Sequence, residues 1–190
     1  GRSLPAIIAP ALRAALLRLD RRASATTTAR RALAALAGFV NGVKLRYGDL
    51  ELSVEVPPVS GLADSGDLDA DLAELLCSAG DAAREQDTAL ILMIDELQFM
   101  AEPDLAILSS ALHSCAQRQL PITMLAAGLP QLLNQTGQAK SYVERLFDFT
   151  EIGRLDTEAA ARALTAPAAK AGVKFSLDAL QEILRQTDGY

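Results

Sequence analysis

Thr88-Ala89-Leu90-Ile91-Leu92-Met93-Ile94-Asp95-Glu96 is the stretch that decides how this chain is read. From Thr88 to Ile94 it runs apolar without alternation, the pattern of a strand covered by helices on both faces of a parallel sheet. Two acids follow at once, at the carboxyl end of that strand. Ligands of open α/β sheets bind at that edge, so the place of Asp95 and Glu96 means as much as their chemistry. Downstream, Leu105, Leu108, Leu112 and Ala116 give a helix over Glu102 to Gln119, and Pro121 to Ala127 reads as a second buried strand. Two β-α units in series imply a right-handed parallel crossover.

Upstream, Leu12, Leu16, Leu17 and Leu19 form one apolar stripe, so a first helix opens at Pro10 and runs to about Arg22. Leu33, Leu36, Ala37 and Val40 give a second helix, which the Asn41-Gly42 pair is expected to stop. Val43, Leu45 and Tyr47 then alternate with Lys44 and Arg46. After a Gly48-Asp49 turn, Leu50, Leu52, Val54 and Val56 alternate with polar residues, which together predict a β-hairpin. Pro57 to Asp67 is loop by composition, and Asp69 is placed to cap a helix through Leu72, Leu75, Leu76 and Ala79. Beyond the second strand, short helices are expected at Leu129 to Leu133 and Ser141 to Phe147. A final strand follows at Phe149 to Ile152, and two more helices at Asp156 to Ala171 and Ser176 to Thr187.

Charge and composition narrow the classes. The 190 residues carry 18 Lys and Arg against 24 Asp and Glu, a net charge of −6, so the surface as a whole is a poor match for a phosphate backbone. Direct DNA binding by this chain is not expected. Arginines crowd the stretch from Arg13 to Arg46, either as a local basic face or as the solvated side of an amphipathic helix pair. No apolar run approaches the roughly 20 residues of a membrane helix. Cys77 and Cys115 sit among alanines and leucines at no ligand or disulfide spacing, and are read as reduced packing residues of a cytoplasmic protein. His113 is the only histidine and is read as a packing residue. No second histidine or cysteine pair completes a zinc site, and no Gly-x-Ser-x-Gly frame supports a serine nucleophile.

The residues at the strand end leave two readings open. In P-loop ATPases an Asp so placed holds magnesium, usually through water, and the adjacent Glu polarises the attacking water. Alternatively, a strand simply ends in two solvated acids. What decides between them is the company the pair keeps: Asp95-Glu96-Leu97-Gln98, Ala111-Leu112-His113, Leu120-Pro121, Ala127-Gly128-Leu129-Pro130, Ser141-Tyr142-Val143-Glu144-Arg145-Leu146-Phe147 and Gly189-Tyr190, in that order.

Through these phrases the chain from Asp67 to Tyr190 resembles the bacterial relatives of origin-recognition-type AAA+ ATPases. The resemblance implies an α/β fold: a P-loop NTPase-like parallel sheet flanked by helices, with the start of an α-helical lid, to which the β-hairpin is an addition. Residues 1–153 would be a partial core without its phosphate loop, and 154–190 the start of the lid. Asp95 and Glu96 would be the Walker B pair, with Asp95 on Mg²⁺ through water and Glu96 the general base. Gln98 joins Asp95 in the nucleotide-binding set. Arg145 matches the region that offers an arginine finger to a neighbour's γ-phosphate, against the plainer reading of a surface arginine paired with Glu144 or Asp148. Arg154 is a weaker candidate for that role. The second strand should end in a polar sensor but ends Ala126-Ala127-Gly128, which leaves Thr123 or Gln98 to reach the site.

A phosphate-binding loop needs glycines and then a Lys before Ser or Thr. None of Lys44, Lys140, Lys170 and Lys174 follows a glycine. The expectation is therefore a fragment of an ATP-hydrolysing switch whose complete form uses ATP and Mg²⁺, with both termini cut and little ATP binding by this chain alone. It would act through self-association or a protein partner. The alternatives are a nucleotide-independent interaction module on an ATPase-derived fold, and part of a DNA-binding initiator-like ATPase.

Overall fold

The computed structural model describes residues 3–22, 27–47, 52–129 and 146–190. The chain falls into two compact units, Gly1–Asp148 and Phe149–Tyr190.

In the first unit the order is α1 (Leu4–Arg22), α2 (Thr27–Tyr47), α3 (Leu68–Glu85), β1 (Leu90–Ile94), a 3₁₀ turn (Leu97–Phe99), α4 (Glu102–Gln117) and β2 (Ile122–Ala126). This is a mixed helical fold with a two-stranded parallel sheet, and α4 is the connection between the strands. The register pairs Leu90 with Ile122, Leu92 with Met124 and Ile94 with Ala126.

The core lies among the helices. Leu12 and Leu16 of α1, Leu33, Leu36 and Phe39 of α2, Leu72, Leu75 and Leu76 of α3, and Leu108 of α4 are all buried. Gly38 lets a loop cross α2 closely, because a Cβ there would stand 2.3 Å from the Leu62 carbonyl oxygen. The loop before α3 is organised by Asp71, a buried acid. Its Oδ1 accepts from the Ser65 N–H at 2.9 Å and the Ser65 hydroxyl at 2.7 Å, and its Oδ2 accepts from the Gly66 N–H at 2.9 Å. Asp67 rather than Asp69 is the N-cap, accepting from the Asp69 N–H at 3.0 Å.

Several further expectations are corrected. Helix α1 begins at Leu4 and carries Pro10 inside it, because Leu4, Ile8 and Ala9 are buried and the packing of that first turn outweighs one lost hydrogen bond. Helix α2 passes through Asn41-Gly42 to Tyr47, so Val43 continues the Leu36, Phe39, Val40 stripe into the core. The hairpin is thereby overturned: its first arm is helical, and residues 52–56 are irregular, with Leu52, Val54 and Val56 packed against the core. Lys44, expected in that strand, reaches from the helix to donate to the Leu52 carbonyl at 2.8 Å.

The sheet itself is the remaining correction in this unit. Leu90, Leu92 and Ile94 pack on the helical core, while Ile91, Met93 and Leu125 are 59%, 76% and 61% exposed. Among the described residues, helices cover one face of the sheet and not both.

In the second unit, α5 (Thr157–Lys170) and α6 (Leu177–Thr187) are capped by Asp156, which accepts from the Ala159 N–H at 2.7 Å, and Ser176, which accepts from the Ala179 N–H at 3.3 Å. The Leu155 N–H donates to the Gly189 carbonyl at 2.8 Å and ties the start of this unit to its end. Residues 149–152 form no strand: Ile152 is 93% exposed, and no described segment pairs with them.

Candidate functional site

Ala127 shapes the end of the sheet. Its N–H donates to the Ile94 carbonyl and its carbonyl accepts from the Leu97 N–H, each at 2.9 Å. Between these two bonds Asp95 and Glu96 are looped out as an exposed crest at the carboxyl end of β1, and Leu97 plugs back into the interior. The detour requires a tight reversal, and Glu96 supplies it in the left-handed region at φ 53°, ψ 43°. For a glutamate that conformation is strained, and such strain concentrates at functional sites.

Two hydrogen bonds hold the crest. Asp95 Oδ1 accepts from the Glu96 N–H at 2.9 Å. Gln98 then reaches in both directions, with Nε2 donating to Glu96 Oε2 and Oε1 accepting from the Leu129 N–H at 3.1 Å. Gly128 makes this fit, since a Cβ there would come within 3.1 Å of Gln98 Oε1 and 3.5 Å of the Leu97 nitrogen. Asp95, Glu96 and Gln98 are thus brought together at one edge.

Thr123 is not part of that group. It pairs with Ile91, three positions back from Ala126, about 10 Å down the strand at 3.3 Å per residue. Of the two residues considered for the empty sensor position, Gln98 is the one at the crest. Arg145 lies outside the described residues. Arg154 is at the surface of the second unit, ion-paired with Asp188. His113 hydrogen-bonds Gln117 at 3.0 Å one turn along α4.

No group of three His, Cys, Asp or Glu side chains able to hold a metal occurs among the described residues. Asp95 offers an exposed carboxylate with one oxygen engaged, which suits a hydrated magnesium ion that takes its other ligands from phosphates.

A second feature was not legible in the sequence. A cavity of about 420 Å³ opens between α2, α3 and the end of α4, lined by Arg31, Ser78, Asp81, Arg84, Glu85 and Arg118 among others. Arg118 pairs with Asp81 at 3.0 Å, and Arg84 donates to the Arg118 carbonyl at 2.7 Å. Behind this rim Cys77 of α3 and Cys115 of α4 lie Sγ to Sγ at 3.6 Å, both buried. The contact with Cys115 holds the Cys77 thiol below its ordinary pKa, and the charge of Arg118 adds to the lowering; the same contact and burial push Cys115 up.

Among the described residues no helix is long and apolar enough to cross a membrane. No protein-family model, curated protein or solved structure matches this chain.

Proposed function

We propose that this chain carries the Walker B half of an AAA+-type ATP-driven switch, built on a P-loop NTPase-like core. The observation that carries the reading is the crest: two adjacent acids looped out at the carboxyl end of a parallel strand, pinned on both sides by Ala127. In this reading Asp95 holds hydrated Mg²⁺ and Glu96 polarises the attacking water. Gln98 sets the Glu96 carboxylate against the loop that follows β2. The single exposed carboxylate at position 95 supports magnesium arriving with ATP rather than binding first, since Mg²⁺ takes few protein ligands and completes its shell with phosphates and water.

In the 190 residues no lysine directly follows a glycine, as the phosphate-binding loop requires, so the nucleotide's phosphates would be cradled by residues outside this sequence. Titration calorimetry with Mg-ATP tests this on the 190-residue chain and on a form extended through any such loop encoded upstream. Binding by the extended form alone supports the switch. Binding by neither removes nucleotide from the function.

One observation favours a second reading. The apolar face of Ile91, Met93 and Leu125 is open among the described residues, and exposed apolar patches of this kind mark contact with other polypeptide. A nucleotide-independent interaction module would use that face and leave Asp95 and Glu96 without work.

A further inference from the structure

Cys77 and Cys115 are separated by 38 residues in sequence yet meet at 3.6 Å where α3 packs on α4. Packing alone does not ask for two thiols: an alanine or leucine at either position would fill an apolar helix interface as well. Three further features surround the pair. Cys77 is 4% exposed and Cys115 is fully enclosed, so one sulfur lies nearer to solvent than the other. Arg118, whose positive charge acts on Cys77, lines the 420 Å³ cavity, as does Ser78, the residue after Cys77. Asp81, one helical turn beyond Cys77, holds Arg118 in place at 3.0 Å.

From this geometry we propose that Cys77 and Cys115 form a peroxide-reactive thiol pair, with Cys77 attacking a small hydroperoxide and Cys115 resolving the product to a disulfide. The Cys77 sulfur, as thiolate, attacks one peroxide oxygen. An S–O bond forms, the O–O bond breaks, and the leaving alkoxide or hydroxide takes a proton to depart as alcohol or water. Cys77 is then a sulfenic acid. The Cys115 sulfur attacks the Cys77 sulfur, an S–S bond forms, the S–O bond breaks, and hydroxide leaves with the Cys115 proton as water. In sum, two thiols and one hydroperoxide give one disulfide, one alcohol or water, and one further water. The thiols lose two electrons and the peroxide gains them.

Each residue has a part set by its position. Across the 3.6 Å contact one proton can lie between the sulfurs, and the positive charge of Arg118 favours leaving Cys77 as the thiolate that peroxide chemistry requires. The inner sulfur keeps its proton until the second step. To bond, the sulfurs must close from 3.6 Å to the roughly 2.05 Å of a disulfide, a movement of side-chain size between helices already in contact. The resulting loop would enclose β1 and the Asp95-Glu96 crest, clamping α3 to the helix that follows the crest.

The test uses the whole chain and hydrogen peroxide, read by intact mass without reductant. The expected result is a loss of 2 Da per monomer, disappearance of both thiols together, reversal by dithiothreitol, and a Cys77–Cys115 linked peptide after digestion. In Cys115→Ser, Cys77 should accumulate sulfenic acid that dimedone traps; in Cys77→Ser, Cys115 should stay reduced under the same conditions. Arg118→Met should slow the wild-type reaction by about tenfold or more, the scale on which a neighbouring cation favours a thiolate. Both thiols surviving a peroxide excess that fully oxidises glutathione would overturn the proposal. So would oxidation at Cys115 before Cys77, or linkage only between separate chains. The wild-type mass needs no variant to fold and decides the matter alone.

Discussion

Gln98 and Glu96 form a side-chain hydrogen bond across the 3₁₀ turn, and the same Gln98 carboxamide accepts the Leu129 N–H. One side chain therefore ties the exposed acid to the loop after β2. Gln98→Ala should release both, and the amide of Leu129 should exchange with solvent about tenfold faster, the scale of one net hydrogen bond. Amide exchange followed by NMR reads this directly. An unchanged Leu129 amide would mean that the loop is held by something else.

Glu96 separates function from stability. A left-handed glutamate costs of order 1–3 kcal/mol, and glycine adopts that conformation freely while losing more chain entropy on folding. Glu96→Gly should therefore stabilise the chain by about 1 kcal/mol in urea unfolding. If Glu96 is the general base of the complete ATPase, Glu96→Gln should leave ATP binding intact and slow hydrolysis by about 10²-fold or more. Turnover unchanged in that variant would remove Glu96 from the mechanism.

Asp71 is surrounded by donors: two from Ser65 and one from Gly66. Its truncation to Ala leaves part-buried N–H groups without an acceptor, each costing about 1–3 kcal/mol. Asp71→Ala should lower unfolding free energy by about 2 kcal/mol or more, and a urea midpoint unmoved from wild type would show that water replaces the carboxylate.

The thiol pair should leave a mark on stability against pH. Cys115, then Arg118, hold the Cys77 thiol below its ordinary range, while burial and Asp81 oppose them. A thiol that ionises at lower pH when folded binds fewer protons in the native state, so stability rises with pH from the lowered Cys77 value up to the unfolded thiol value near 8.5. Cys115, raised by its bond to Cys77 and by burial, acts in the opposite sense: above about 8.5 the unfolded chain ionises it and the folded chain does not. Relative to a Cys77→Ala, Cys115→Ala double variant, the urea midpoint should climb between about pH 6.5 and 8 and decline beyond about 9. A difference that falls steadily across the range would show that no thiolate is favoured.

The parts of the fold legible in the sequence are those where one local rule acts alone. The helices that open at Asp156 and Ser176, and the strands Leu90–Ile94 and Ile122–Ala126, lie where composition places them. Residues 43–47 were not, because Val43, Leu45 and Tyr47 alternate like a strand while Phe39, Val40 and Val43 keep a helical stripe, and burial of that stripe decided for helix. At the site, Asp95 and Glu96 were legible as an acid pair at a strand end, and Gln98 as a residue near it. The left-handed turn of Glu96 was not, since it follows from Ala127 bonding on both sides of the pair. The meeting of Cys77 and Cys115 was illegible too, because no spacing along one helix brings together residues that lie on two.

The apolar run that makes β1 easy to find also deprives it of a ruler. In a strand with one greasy side, slipping by one residue would turn that side to water, and the penalty fixes the alignment. Leu90, Leu92 and Ile94 could trade places with Ile91 and Met93 at little cost in burial, so hydrophobicity does not set where β1 stops. The alignment must come from the tether: the length of the 3₁₀ turn and α4, and the two bonds to Ala127 that accept only one offset. Whether two acids or two hydrophobes stand at the lip of this sheet is thus measured out by a helix that carries neither of them.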